Sequence, residues 1–219
     1  WQLTTKQYTL AYLAMRIALH IGLDKPILTL AKATQINMMP PRTHPTKKPY
    51  QHPIDNRDRA YLAINSIIEY LFALNLTHLV VHSSLVATSL ADLNALNSVG
   101  ALWLLLVFDD MLYAPAHRIM HVPALYKHVH KHHHRNTFPT RGYVDGANEH
   151  PVEQLVALSL HWCAILLTAR TSGVHAAAIG AHLVLKAAGA CFNHTGYDVR
   201  LRLLGIDYSV RAHEMHHRK

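Results

Sequence analysis

Four runs of apolar residues, each of helix length, alternate with polar stretches along this chain. They cover about Tyr61 to Val81, Leu96 to Leu112, Gln154 to Thr168 and Val174 to Phe192. Each is rich in Leu and Ala and free of proline, which predicts α-helix. A shorter apolar stretch, about Thr9 to Leu23, contains Arg16 and His20 and reads as a helix too short and polar to cross a bilayer. The segment Pro40 to Arg59 is rich in Pro, Lys and Arg and reads as a loop. The expected organisation is therefore an N-terminal helix and basic loop over 1–59, then a main domain over 60–219.

The polar stretches between the runs differ in charge. Pro40–Arg59, Arg118–Glu153 and the tail from His194 onward are basic, whereas His82–Asn94 has no Lys or Arg. Four membrane spans put every basic stretch on one face, the cytoplasmic one. They put every histidine cluster there too. The predicted fold class is all-α: an integral membrane bundle of about four apolar helices with a histidine-rich di-metal site on its cytoplasmic side. A soluble bundle with buried core helices is the alternative, since the third and fourth runs are short and Glu69 is costly in lipid.

Composition sharpens this picture. Half of the 219 residues are hydrophobic and 16% are charged, yet the mean hydropathy is only +0.05, so the membrane reading rests on local segments. The formal charge of +8 invites a nucleic-acid reading, but no such motif or aromatic–basic interleaving is present. Cys163 and Cys191 both lie in apolar runs and form no CxxC motif, which speaks against a disulfide framework or thiolate zinc. The start lacks a signal-peptide pattern, and both ends read as cut, so the expectation is of a fragment.

Twenty histidines are the unusual feature, and they cluster. His117 and His121 form HxxxH; His130, His133 and His134 form HxxHH, with His132 inside it; His213, His216 and His217 form a second HxxHH. On a helix such spacings place imidazoles on one face, able to share a metal. Imidazole suits Fe, Zn, Cu and Ni, and so many nitrogens imply two ions. Soluble di-iron bundles use mostly carboxylates. Here Asp109, Asp110, Asp145, Glu149, Glu153 and Glu214 are few enough to read as partners that fix imidazole orientation, or as solvated charges. A His–Asp phosphohydrolase is disfavoured by the lack of any His–Asp dipeptide. A non-catalytic histidine-rich metal-binding or transport protein is the remaining alternative.

The run from Asp110 through Ala116-His117-Arg118-Ile119-Met120-His121, followed by Leu125-Tyr126-Lys127 and His130 to His134, resembles the fatty acid hydroxylase / sterol desaturase superfamily, the C-4 methylsterol oxidases most of all. Glu149-His150-Pro151-Val152-Glu153, His194-Thr195-Gly196-Tyr197-Asp198 and the last histidine box extend the likeness. It covers Asp109 to the end, roughly half the chain. Carotenoid hydroxylases share similar boxes but usually lack the His-Thr-Gly-Tyr-Asp segment. Family members continue past the last box with further segments that this chain lacks.

The resemblance implies a membrane-bound non-haem di-iron oxygenase that hydroxylates or desaturates a lipid such as a sterol or fatty acyl chain. It would use O2 and electrons from a donor such as cytochrome b5 or a ferredoxin-type reductase. The implied cofactors are two Fe ions, with Zn possible after purification. The implied membrane is the endoplasmic reticulum in a eukaryote and the inner membrane in a bacterium. Carried over residue by residue, the ligands are His117, His121, His130, His133, His134, His213, His216 and His217, with His194 a ninth. His175, nineteen residues before His194, is a candidate tenth. His150 is expected to be structural, paired with Glu153, and His128 and His132 fall off the ligand stripe. His78, His82, His161 and His182 are expected to be satisfied interior histidines. Tyr126, Tyr197 and Trp103 are expected along the lipid path or as interfacial anchors.

Overall fold

A computed structural model describes residues 51–203 and 205–218, with isolated positions 7, 10, 14 and 29. The expected Thr9–Leu23 helix and most of the basic loop lie outside the described residues. The described elements run α1 (Asn56–His82), β1 (Val86–Ala87), α2 (Ala101–Met120), α3 (Pro123–Tyr126), α4 (Tyr143–Gly146), α5 (Pro151–Thr171), β2 (Val174–His175), α6 (Ala176–Asn193), β3 (Arg200–Leu203), β4 (Ile206–Ser209) and α7 (Val210–His217). A π-helical turn, Leu96–Gly100, leads into α2.

All four expected apolar helices form, and the first three are longer than the apolar pattern alone indicates; the fourth, at 18 residues, is not. Asn56–His82, Leu96–Met120, Pro151–Thr171 and Ala176–Asn193 are each long and apolar enough to cross a membrane. The extra length comes from local chemistry at the ends. Asp55 Oδ1 accepts the Asp58 N–H at 2.9 Å while Asp58 Oδ2 accepts the Asp55 N–H at 2.8 Å. This reciprocal cap starts α1 at Asn56, inside the stretch expected to be loop. The His150 side chain caps α5, and Pro151 occupies its first position, where a missing N–H costs nothing. At 21 residues, about 31 Å at 1.5 Å per residue, α5 is no longer marginal for a bilayer.

Two compact units make up the chain. One contains residues 51–62, 131–149 and 187–218 among those described; the other contains Ala63–His130 and His150–Lys186. The second unit is a helical bundle in which α2 packs against α5, with Leu105, Ile165, Ala101, Ala169, Leu76, Ala178 and Ile179 at its core. Small residues here let helix backbones approach closely, as membrane helices require. The apolar residues Ile64, Ile67, Leu71, Leu155, Val184 and Leu185 face outward. This inside-out distribution fits a lipid solvent, and the chain is an integral membrane protein. Glu69 is not stranded in lipid: its Oε1 accepts from Gln154 Nε2 at 3.4 Å on α5. Val86 and Ala87 pair in parallel with Val174 and His175.

The first unit adds a short antiparallel hairpin, β3–β4, that the helical reading did not anticipate. Its turn needs Gly205, whose φ of +85° suits a residue without a Cβ. Arg200 and Arg202 hold Asp207 across it. His78 and His82 depart from expectation as well: both are exposed on α1 and lie against one another, ring centroids 4.6 Å apart, rather than in an interior.

Replacing fully buried Leu105 with Ala should lower stability by about 2–5 kcal/mol. Replacing outward-facing Leu71 with Ala should change it by less than about 0.5 kcal/mol. Thermal unfolding of the detergent-solubilised protein measures both.

Candidate metal centre

Each unit carries its own group of histidines. In the first unit His194 directly follows the end of α6, the segment before α4 supplies His133 and His134, and α7 supplies His213, His216 and His217. The hairpin fixes α7. The Val210 N–H donates to Val199 O at 3.0 Å, the Ser209 side chain caps the helix, and Tyr208 OH donates to Gly189 O of α6 at 3.0 Å. Burial pushes the Tyr208 hydroxyl above its ordinary pKa and keeps it a donor.

Four ring nitrogens meet in this unit. Nε2 of His217 lies 3.1 Å from Nε2 of His213, which lies 3.3 Å from Nε2 of His194, which lies 3.4 Å from Nε2 of His133. The His194 Nδ1–H donates to Ala190 O at 2.7 Å, so its Nε2 presents a lone pair. A neutral imidazole nitrogen carries either one hydrogen or one lone pair. At most two of these three contacts can therefore be hydrogen bonds, so at least one pair of nitrogens is held close without one. A tetrahedral ion with bonds of about 2.0–2.1 Å spaces its ligand nitrogens about 3.3 Å apart, which is the spacing found. The four residues fit a metal ion. His134 lies beside them, its ring 4.5 Å from that of His216 and 4.6 Å from that of His217.

In the second unit His117, in the last turn of α2, His121 at its C-cap and His130 form a trio. Their ring centroids are 4.6–5.2 Å apart. The His130 Nδ1–H donates to Glu153 Oε1 at 2.6 Å, in full burial. That bond fixes the tautomer and turns the Nε2 lone pair toward His121 Nε2, 3.1 Å away. A carboxylate behind an imidazole is the usual support of a metal ligand. The trio fits a metal as well.

Nine of the ten expected ligands thus fall into these groups, and His175 does not. It sits in β2, where its Nε2 donates to Ser89 O at 3.2 Å and its Nδ1 accepts the Ala177 N–H at 3.1 Å. Both nitrogens serve the backbone at a strand-to-helix junction. His150 is structural, as expected, but as the cap of α5: its Nδ1 accepts the Val152 N–H, while Glu153 serves His130. The second box is not helical either. His133–Arg135 is a short 3-10 turn, so the sharing of one face read from its spacing does not apply. His128 is exposed, Tyr126 stacks on His121, Tyr197 is buried and Trp103 faces outward.

What holds the second box is a pair of buried carboxylates. Asp58 takes Arg135 at 2.6 Å, Asn148 at 2.9 Å and His132 Nε2 at 3.0 Å. Asp145 takes Gln51 at 2.7 Å, the Thr140 N–H at 3.0 Å and the Arg141 N–H and Nε at 2.8 Å. Asp58, Arg135 and Asn148 were not legible as functional, because Asp58 lies in an apparently solvated charged run. Gly146 also carries weight: a Cβ there would sit 3.1 Å from His194 Nδ1.

Burial, reinforced by neighbouring imidazoles, holds His133 well below the ordinary histidine pKa and His217 down to about 2; burial also lowers His194. All three are neutral at physiological pH, as ligands must be.

Fold and site together define a membrane-embedded protein with two groups of histidines that could hold metal ions. The family model of the fatty acid hydroxylases matches residues 101–219. The chain belongs to this family, within the fatty acid hydroxylase / sterol desaturase superfamily. No solved structure matches it. Membership supports a lipid hydroxylase- or desaturase-type oxidoreductase in general terms.

This geometry predicts the effects of two substitutions and of pH. Asp58→Ala leaves Arg135 without its buried partner and should cost about 3–5 kcal/mol in unfolding free energy. Glu153→Gln should weaken metal binding about 10–100-fold in competition with a chelator. In the metal-free protein, the depressed histidine pKa values contribute stability above pH about 6.5, the unfolded value. Below it the unfolded chain takes up protons that the folded state refuses, so the unfolding temperature should fall steadily as the pH drops.

Proposed function

We propose that this protein is a di-iron oxygenase that hydroxylates or desaturates a C–H bond of a membrane lipid. The supporting observation is the convergence of the Nε2 atoms of His133, His194, His213 and His217, with successive contacts of 3.1–3.4 Å, the spacing that a shared tetrahedral cation imposes. In this reading those four would hold one iron, with His134 and His216 beside them, and His117, His121 and His130 would hold a second. An all-nitrogen donor set suits iron as well as zinc, and family membership favours iron.

Bound iron would supply the dioxygen chemistry: with O2, two electrons and two protons, R–H would become R–OH with release of one water, or a CH–CH unit would become an alkene with release of two waters. The chain's own residues do the rest. Glu153 keeps the proton on His130 Nδ1, and the Ala190 carbonyl keeps it on His194 Nδ1, so each presents a lone pair without rearrangement. Burial of His130, His133, His194 and His217 excludes water. Asp58 and Asp145 fix the segment that carries the second box. The outward apolar helix faces give a lipid substrate access from the bilayer. Electrons come from a partner such as cytochrome b5 or a ferredoxin-type reductase, and the membrane is that of the endoplasmic reticulum or the bacterial inner membrane.

Membranes containing the iron-loaded protein, given a reductase system and labelled O2, should yield a lipid product carrying the label or a new double bond. His133→Ala should reduce that product at least about 100-fold, since removing a group essential to the reaction typically costs that much or more. Iron-loaded, reduced protein that consumes no O2 against a broad lipid extract would sink the oxygenase reading and favour a metal-binding protein.

A further inference from the structure

Away from the histidine boxes, α2, α5 and α6 share a second polar cluster midway along their apolar length. Asp109 on α2 is fully buried. Its Oδ1 accepts a close hydrogen bond from His161 Nδ1 of α5, and its Oδ2 pairs with Lys186 Nζ of α6 at 2.6 Å. His182, one turn before Lys186, is 0% exposed. Its Nε2 lies 3.9 Å from Asp109 Oδ2, beyond hydrogen-bonding reach, and neither ring nitrogen has a hydrogen-bond partner.

Ionisable groups at this depth are costly and mark function by default. A tether between helices needs only Asp109, His161 and Lys186, and it leaves His182 unexplained. A buried imidazole that bonds nothing costs free energy unless a ligand completes it.

The donors and acceptors define that ligand. Asp109 accepts only, and a neutral His182 offers one N–H. A hydroxyl is the smallest group that donates to the carboxylate and accepts from the imidazole together. A carboxylate cannot donate and would be repelled by Asp109. An ammonium is already supplied by Lys186. The partial exposure of Lys186 (36%) and His161 (13%) opens the cluster toward the lipid-facing surface, and the flexible lysine stem can swing aside.

The cluster also lies in line with the first histidine box. The Lys186 ammonium sits 5.7 Å from the Tyr113 ring centroid, and Tyr113 stacks on His117 at 5.3 Å. Asp109 and His117 are eight residues apart on α2, about 12 Å at 1.5 Å per residue.

We propose that Asp109 and His182 bind the hydroxyl group of an amphipathic lipid substrate, anchoring it about 12 Å along α2 from His117. This rests on the lipid-oxygenase reading, and its test reads binding rather than turnover. Thermal unfolding of the purified iron-loaded protein is followed with hexadecanol and with cholesterol, each against its deoxygenated counterpart, hexadecane or cholestene. At least one alcohol should raise the unfolding temperature more than its hydrocarbon does. That excess should vanish in His182→Leu and in Asp109→Asn, with iron content unchanged; if one variant fails to fold, the other decides. Equal shifts for alcohol and hydrocarbon in both pairs, or an excess that survives these substitutions, would overturn the proposal. Failure of the oxygenase reading looks different: the alcohol excess persists while iron-loaded protein forms no oxidised lipid.

Discussion

The imidazoles of His133, His194, His213 and His217 meet Nε2 to Nε2, with more close contacts than hydrogen bonds to fill them, and much of the first unit exists to impose that arrangement. A buried imidazole ordinarily finds one donor and one acceptor. Here the outward nitrogen of His194 is bound to the backbone, and the inward nitrogens are left facing each other at 3.1–3.4 Å. Burial makes protonation unfavourable, so charge repulsion is avoided by keeping the rings neutral. The same neutrality keeps the lone pairs available to a cation. Holding neutral nitrogens in at least one close contact that is not a hydrogen bond has a cost that a shared cation relieves.

The scaffolding follows from that cost. The third box is helical, and its helix is capped by Ser209 and anchored through Tyr208. The second box is a tight turn, so periodicity cannot orient it. Asp58 and Asp145 do so instead, each collecting several donors into one buried carboxylate. Such carboxylates rigidify only when fully satisfied, and the density of bonds around these two meets that condition. In the other unit, Glu153 plays the equivalent part for His130 alone.

Much of this was legible in the sequence. The four apolar runs named the four long helices because lipid selects for continuous apolar length. The boxes and the segment starting at His194 named nine histidines that the fold gathers into two groups. The rest was hidden for identifiable reasons. Helix ends are set by caps, so the Asp55–Asp58 exchange that starts α1 looked like part of a basic loop. The non-helical second box has the same spacing as the helical third one, and spacing cannot distinguish a turn from a helix over five residues. His175 shares a sequence interval with family ligands, but its ring is engaged by backbone at the β1–β2 junction. The β3–β4 hairpin is too short to register against the helical pattern around it. Asp109, His161, His182 and Lys186 are far apart in sequence, and only packing of α2, α5 and α6 reveals them as one cluster.

The central claim is that the histidine sets are metal sites with imidazole ligands. X-ray absorption at the iron edge of the iron-loaded protein tests it most directly. The account predicts a first shell dominated by nitrogen, with the outer-shell pattern of imidazole rings, that loses part of this pattern in His217→Ala. A first shell of oxygen alone, unchanged by that substitution, would contradict it.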